Sequence, residues 1–266
     1  QSVMSAAASF HSIPHENFNY RFCCEGLIKS EMINKKQLSS RLKPFGDSMV
    51  LAGSEQMIRF HLHTNNPQDL FETVSTFGTI SYQKVDDMKK QNDVVTERKW
   101  KIALVTDSTS DLPAELIDSY QIHQIPLNIH FGDSQYLDKL TISPARFFDM
   151  VEHEKKHPTT SQPNENSFLS LYSHLASHYD SIISVHLTDK FSGTFRNSFK
   201  AAERVSGEFH KKITVLDSGQ VSGSLGLLTL KIAESVEKGM EHDEIIRNFD
   251  TWKQQAKIFV SVKNLK

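Results

Sequence analysis

Four short, uninterrupted apolar runs punctuate this chain beyond its first hundred residues, at 102–106, 182–187, 213–216 and 258–262. Segments of helical periodicity lie between them, as at 168–178 and 225–236. A strand that is apolar on both faces must be covered on both, so the pattern predicts a mostly parallel sheet flanked by helices. Ligands of such sheets sit beyond the C-terminal ends of the strands. Asp107-Ser108, Ser192-Gly193-Thr194 and Asp217-Ser218 each follow one of the runs, so all three are expected on one rim.

The earlier part of the chain is patterned differently. A polar segment around Pro14 and Asn17 leads into a strand at 20–28, and 35–42 has helical spacing. Gly46-Asp47 marks a turn, and 49–52 and 58–64 read as strands separated by Gly53-Ser54-Glu55. Asn66-Pro67 begins a helix with Leu70, Phe71 and Val74 on one face; Gly78 ends it and 80–85 alternates as a last strand. The order β-α-β-β-α-β is the split βαβ, ferredoxin-like arrangement. The charged stretch from Lys89 to Lys99 reads as a linker. The expected fold is therefore an α+β module over residues 1–96 followed by an α/β lobe over 97–266.

Several function classes are disfavoured. The formal charge is −2, whereas nucleic-acid-binding domains are usually basic. No apolar run reaches the roughly 18 residues that span a bilayer. The two cysteines are adjacent, Cys23-Cys24, and adjacent cysteines rarely pair, so a reducing, cytoplasmic setting is expected. The first residue is Gln1 and no signal segment follows, which reads as a piece of a longer polypeptide.

Two residue sets carry chemistry. His61 and His63 alternate on one strand, so both point to one face, and in a split βαβ sheet that strand neighbours the one bearing Cys23. One thiolate and two imidazoles suit zinc, with water or another group as fourth ligand. The alternative is a half-exposed strand with Cys23 as a small core residue. The second set is the pair of hydroxyl clusters Pro158-Thr159-Thr160-Ser161-Gln162-Pro163 and Phe191-Ser192-Gly193-Thr194-Phe195. Each precedes a helical pattern, and a helix start offers unpaired N–H groups and partial positive charge. Without a lysine in either cluster, a small anion with an apolar tail is the expected ligand.

Other motifs are weaker. His153-Glu154-Lys155-Lys156-His157 has zincin spacing, but Pro158 ends the helix there and the two lysines suit a solvated last turn. The glycines of Gly219-Gln220-Val221-Ser222-Gly223-Ser224-Leu225-Gly226 fit no nucleotide fingerprint and are expected to let a helix pack closely. In Asp107-Ser108-Thr109-Ser110-Asp111, Ser110 is expected to cap the helix after Pro113, with Asp107 on the rim. A Ser192 nucleophile needs a nearby base, and His186 stands too early on its strand to be assumed one.

The segments Asp107-Ser108-Thr109-Ser110-Asp111-Leu112-Pro113, Ile125-Pro126-Leu127-Asn128-Ile129, Thr160-Ser161-Gln162-Pro163, Ser192-Gly193-Thr194-Phe195 and Leu216-Asp217-Ser218 occur in that order, and together they resemble the DegV family of bacterial lipid-binding proteins. The resemblance covers the chain from Lys101 onward, the first lobe of such a protein, and implies a second lobe beyond it. It implies a bound fatty acid whose carboxylate is held by Thr160, Ser161, Ser192 and Thr194, with Gly193 shaping the turn. Tyr20-Arg21-Phe22-Cys23-Cys24-Glu25, Phe45-Gly46-Asp47-Ser48-Met49-Val50 and Arg59-Phe60-His61-Leu62-His63-Thr64-Asn65 resemble the region after the nucleotide domain in the kinase component of the same system. That resemblance implies zinc on Cys23, His61 and His63. The chain departs from the pattern at Cys24 and at Gly26, where an aromatic is expected. Together the resemblances imply a fusion that presents an acyl carboxylate to a dihydroxyacetone-kinase-like kinase domain, without catalysis by this chain alone; a homodimer is a further partner considered, though the sequence does not reveal the oligomeric state. The rival readings are a serine hydrolase using Ser192 and a zinc-stabilised docking module with no lipid role.

Overall fold

The computed structural model describes residues 19–153, 156–259 and 261. Pro14 and Asn17 lie outside the described residues, as do Glu154 and Lys155 of the zincin-like motif. In chain order the elements are β1 (Phe22–Lys29), α1 (Lys35–Leu42), β2 (Gly46–Gly53), β3 (Met57–Thr64), α2 (Pro67–Ser75), β4 (Thr79–Asp87) and α3 (Met88–Thr96). Then come β5 (Ile102–Asp107), α4 (Ala114–Ser119), β6 (His123–Ile125), β7 (Asn128–Phe131), β8 (Ser134–Leu137), α5 (Pro144–His153) and β9 (Thr159–Ser161). The last are α6 (Glu165–Ala176), β10 (Ser181–His186), α7 (Thr194–Phe209), β11 (Lys212–Asp217), α8 (Ser222–Glu237) and α9 (His242–Gln255). These form two compact units, the first from residues 19–97 and 126–161, the second from 98–125 and 162 onward.

In the first unit the sheet order is β2-β3-β1-β4, with every pair antiparallel, as the split βαβ reading expects. One face carries the core: Cys24, Ile28, Ile58, Phe60 and Leu62 meet Leu38 and Leu42 of α1 and Leu70, Phe71 and Val74 of α2. The helices start where asparagine can cap. Asn34 accepts from Gln37 N–H at 3.0 Å, and Asn66, ahead of Pro67, accepts from Asp69 N–H at 3.3 Å. The stretch read as a linker is instead mostly helical. Asp87 caps α3 through Lys90 N–H at 3.0 Å, Lys89 pairs with Asp93 at 2.7 Å, and Met88 and Val94 turn inward. Its charge conceals an amphipathic helix.

Residues 126–161, grouped on sequence with the later lobe, cluster with this first unit. They form the three-stranded sheet β8-β7-β9 and α5. The half that precedes them reaches across with side-chain amides. Gln83 Nε2 donates to Gln135 O at 2.5 Å, Gln68 Nε2 donates to Lys139 O at 3.0 Å, and Thr141 Oγ1 donates to Gln83 Oε1.

The second unit is the expected parallel α/β lobe, with sheet order β11-β10-β5-β6. Every residue of β5 and β10 is buried. Ile102, Leu104, Ile183 and Val185 pack against Leu225, Leu228 and Ile232 of α8 and Ile245 and Phe249 of α9. The alternate residues Ser184 and His186 meet Tyr172 and Phe168 of α6. Of the run at 258–262 only part is described. Residues 258, 259 and 261 are non-strand, and Val260 and Val262 lie outside the described residues. Among the described residues no helix is long and apolar enough to cross a membrane.

Candidate functional sites

The first unit brings Cys23, His61 and His63 together on the sheet face opposite its core. Antiparallel pairing of β1 with β3 sets Cys23 across from His63 and Glu25 across from His61. The ligand atoms of the three residues all lie within 4.8 Å of one another. Cys23 Sγ is 3.8 Å from His61 Nδ1, and the two imidazoles stand edge to face at 5.0 Å. Cys24 points the other way, fully buried in the core.

Three carboxylates that spacing alone did not reveal surround this cluster. Asp47 Oδ1 is 3.3 Å from His63 Nδ1, Glu25 Oε1 is 3.9 Å from His61 Nδ1, and Asp86 lies across from Cys23 on β4. Burial pushes the Cys23 thiol up to about 11, Asp86 and Glu25 push the same way, and Lys84 opposes them. The same negative field that keeps the thiol protonated attracts a cation, and a bound cation reverses the balance by stabilising thiolate. The donor set therefore fits a divalent metal that favours sulfur and nitrogen. Without metal, Cys23 is therefore held mainly as the thiol at neutral pH. Iodoacetamide labelling of Cys23, located by peptide mass spectrometry, is expected to be slow at neutral pH and to rise steeply toward pH 11. Fast labelling at pH 7 in metal-free protein contradicts this electrostatic picture.

In the second unit, the parallel register places the ends of β5, β10 and β11 on one rim, as the sequence predicts. Ser192, Gly193 and Thr194 stand together there at the start of α7. Ser192 Oγ lies 2.8 Å from Thr194 Oγ1 and accepts from Thr194 N–H at 3.3 Å. Gly193, at the N-cap, has no side chain to close the helix, and its own N–H donates to Gln162 Oε1 at 2.9 Å. A Cβ at 193 would fall 2.4 Å from that carboxamide, so only glycine leaves Gln162 in place. Arg196 in the first turn is engaged by Asp189 at 2.7 Å. The hydroxyl pair thus offers neutral donors at the positive end of a sixteen-residue helix. Among the described hydrogen bonds, those of the Ser192 hydroxyl go to Thr194 and none to a histidine.

Thr160 and Ser161 belong to the first unit and do not head a helix. They lie on β9, paired with Ile129 and Asn128 of β7, and Ser161 Oγ is 3.0 Å from His130 Nε2. Pro163 keeps the residue before it extended, so α6 begins only at Glu165, capped by Asn164 through Ser167 N–H at 2.9 Å.

Asp107 is not an open rim residue but a fully buried one. Its Oδ1 accepts from Thr109 N–H at 3.0 Å and Thr109 Oγ1 at 2.6 Å. Its Oδ2 accepts from Leu187 N–H at 2.9 Å and faces His186 Nδ1 at 3.1 Å. Burial alone would raise this carboxyl, but the bonds from His186, Thr109 and Leu187 outweigh it and hold it below the usual aspartate range. Stability from this network is therefore present above that range and lost as pH falls through it. Ser110 does not cap α4, whose N-cap is Pro113; it is buried and takes a bond from Gln124 Nε2 at 3.2 Å. His153 ends α5 in solvent, its ring bonded at 2.7 Å to the Asp149 carbonyl one turn back, as a solvated last turn requires. Gly226 of the glycine-rich stretch does allow close packing, with the backbone oxygen of Ser110 lying 2.2 Å from where its Cβ would be.

The family model described as uncharacterised protein, DegV family, matches residues 101–266, and the model of the FakA-like middle domain of fatty acid kinase matches residues 19–95. A DegV domain-containing protein of Staphylococcus aureus is 33% identical over 165 residues, covering 62% of this chain and 57% of the relative. The crystal structure of DegV from Bacillus subtilis, described as a fatty acid binding protein, is similar with a TM-score of 0.54 at 33% identity, covering 59% of this chain and 55% of that one. A stearic acid-binding protein from Eubacterium ventriosum is similar with a TM-score of 0.52 at 26% identity, covering 57% and 52%. The chain thus spans little more than half the length of the relatives it matches.

Proposed function

Because the chain belongs to the DegV family, we propose that it binds a fatty acid and holds the ionised carboxylate at the start of α7. The observation that carries this reading is the Ser192–Thr194 hydroxyl pair at a helix start whose N-cap, Gly193, has no side chain of its own. One hydroxyl proton bridges the pair and the other donates to a carboxylate oxygen, while the helix end adds favourable potential without a fixed cation. Phe191 beside the turn, with 77% of its surface exposed, and Phe195 after it supply apolar contact for an acyl chain.

Neutral donors leave the carboxylate nucleophilic. Presented to a kinase, one carboxylate oxygen attacks the γ-phosphorus of ATP, the bond to the β-phosphate oxygen breaks, and acyl phosphate and ADP result. The match of residues 19–95 to the middle domain of a fatty acid kinase supports a dihydroxyacetone-kinase-like partner, attached or separate. In that module Cys23, His61 and His63 would hold zinc. The ion would supply a structural cross-link between β1 and β3. The free Cys23 and Cys24 support a cytoplasmic setting.

Extraction of the purified protein with organic solvent, followed by mass spectrometry, is expected to release a fatty acid near one per chain. Ser192→Ala is expected to weaken binding of added fatty acid roughly ten- to a hundredfold, the cost of losing one hydrogen bond to a charged group. No extracted lipid together with no saturable binding of added fatty acid overturns the proposal.

A further inference from the structure

Four fully buried polar side chains run in a line from α6 to the rim. The Tyr172 phenol donates to Ser184 Oγ at 2.7 Å, Ser184 Oγ lies 2.7 Å from His186 Nε2, and His186 Nδ1 lies 3.1 Å from Asp107 Oδ2. The arithmetic of protons gives the line a direction. Tyr172 spends its single proton on Ser184, so the Ser184 proton goes on to His186 Nε2. The ring proton therefore sits on Nδ1, aimed at Asp107. The order Ser–His–Asp resembles a catalytic triad, but Ser184 is sealed in the middle of the sheet and can reach no substrate.

What the line does reach is the loop from β10 to α7. Asp107 takes the Leu187 N–H, the first peptide of that loop. The next two peptides are held from the far side, Thr188 N–H by Gln220 O at 3.0 Å and Asp189 N–H by Asp217 Oδ1 at 3.3 Å. The loop then turns on itself, with Phe191 N–H donating to Thr188 O at 3.0 Å, and delivers Ser192 to the helix start. Its base is thus clamped between two strand ends.

We propose that Asp107 and His186 are positioning residues for the carboxylate site, fixing through the Leu187 peptide the loop that carries Ser192. The inference rests on the fatty-acid reading of that site. Asn at 107 keeps the shape but replaces one of two accepting oxygens with a donor, so either Leu187 N–H or Thr109 N–H loses its partner. Asp107→Asn is expected to weaken fatty-acid binding at least about tenfold. His186→Asn, which retains a donor near the Nδ1 position, is expected to keep most of the affinity that His186→Leu loses. Ile232→Ala, a core truncation on α8 outside the line, serves as the control and is expected to lower stability without changing the affinity of folded protein.

Two readouts need no ligand. Nitrogen NMR of His186 is expected to show the proton on Nδ1, and amide exchange from Leu187 to Thr194 is expected to quicken in Asp107→Asn ahead of exchange in β5. A proton on Nε2, or loop exchange no faster than that of β5, overturns the proposal. Unchanged affinity in a folded Asp107→Asn protein also overturns it. If wild-type protein binds no fatty acid while both ligand-free readouts hold, the functional reading fails and the positioning of the loop stands.

Discussion

Replacing Phe60 by alanine is expected to lower the stability of the first unit by about 3–5 kcal/mol, the range for truncating a buried aromatic. The ring is fully buried and stacks in a tilted arrangement on Phe71, 5.5 Å between centroids. Its space exists because Gly26 lies directly across on β1, where a Cβ would fall 2.4 Å from the ring. The resemblance expects an aromatic at position 26, but here the neighbouring strand supplies a ring over that glycine. Because the pocket is walled by two strands and α2, little can collapse into the vacated volume, and the upper part of the range applies. Urea unfolding of Phe60→Ala beside wild type measures the loss. A change below about 1 kcal/mol would show that the ring is dispensable and the pairing with Gly26 incidental.

Gly226→Ala is the second large effect, and opposing magnitudes decide its sign. Helix propensity alone favours alanine by about 1 kcal/mol. Against this, the new methyl would sit 2.2 Å from the Ser110 carbonyl oxygen, a backbone atom with no rotamer to yield. Overpacking of that kind costs about 1–3 kcal/mol, and more where backbone must move. The expected result is net destabilisation of the second unit by about 1–2 kcal/mol. Gly223, on the same helix, has nothing within 4 Å of its own Cβ position. Gly223→Ala is therefore expected to be neutral or stabilising by up to about 1 kcal/mol. Thermal unfolding of the two variants side by side is the check, and equal shifts would remove the packing explanation.

Much of the fold was legible because the two patterns are strong. Period-2 alternation in residues 57–64 determines at once which side chains form the core and which, Arg59, His61 and His63, face away. The Cys23–His61–His63 cluster was legible for the same reason, since strand order and alternation suffice to bring Cys23 beside both histidines. The carboxylates around it were less so, because Asp47 depends on an irregular register in β2 and Asp86 on the pairing of β1 with β4. The rim followed from parallel strands, and the Ser192 turn from its place after a buried strand.

The misses have physical causes. Charge at 89–99 suggested a linker, but a capping aspartate and two inward apolar residues are enough for a helix. Thr160 and Ser161 do precede a helix, as the spacing expects, but they stand on a strand because Pro163 keeps the chain extended until Asn164 caps α6. The family matches, 19–95 and 101–266, follow the boundary read from sequence, while the clustering of residues 126–161 with the first unit rests on long-range contacts such as Gln83 with Thr141, which no local pattern encodes. One signal was available and unused. Ser184 and His186 stand two apart in an otherwise apolar strand, hence on one buried face, and buried polar groups need partners. That requirement points to Asp107 and Tyr172.

The central claim is that a fatty-acid carboxylate is held, ionised, by the hydroxyls at the start of α7. The most direct test is NMR of a fatty acid labelled with carbon-13 at the carboxyl, added to wild type, Ser192→Ala and Thr194→Val. The account predicts one bound carboxylate resonance at pH 7, with the shift of the ionised form, that moves in both variants. A bound resonance that neither substitution shifts, or none at all with wild type, would contradict it.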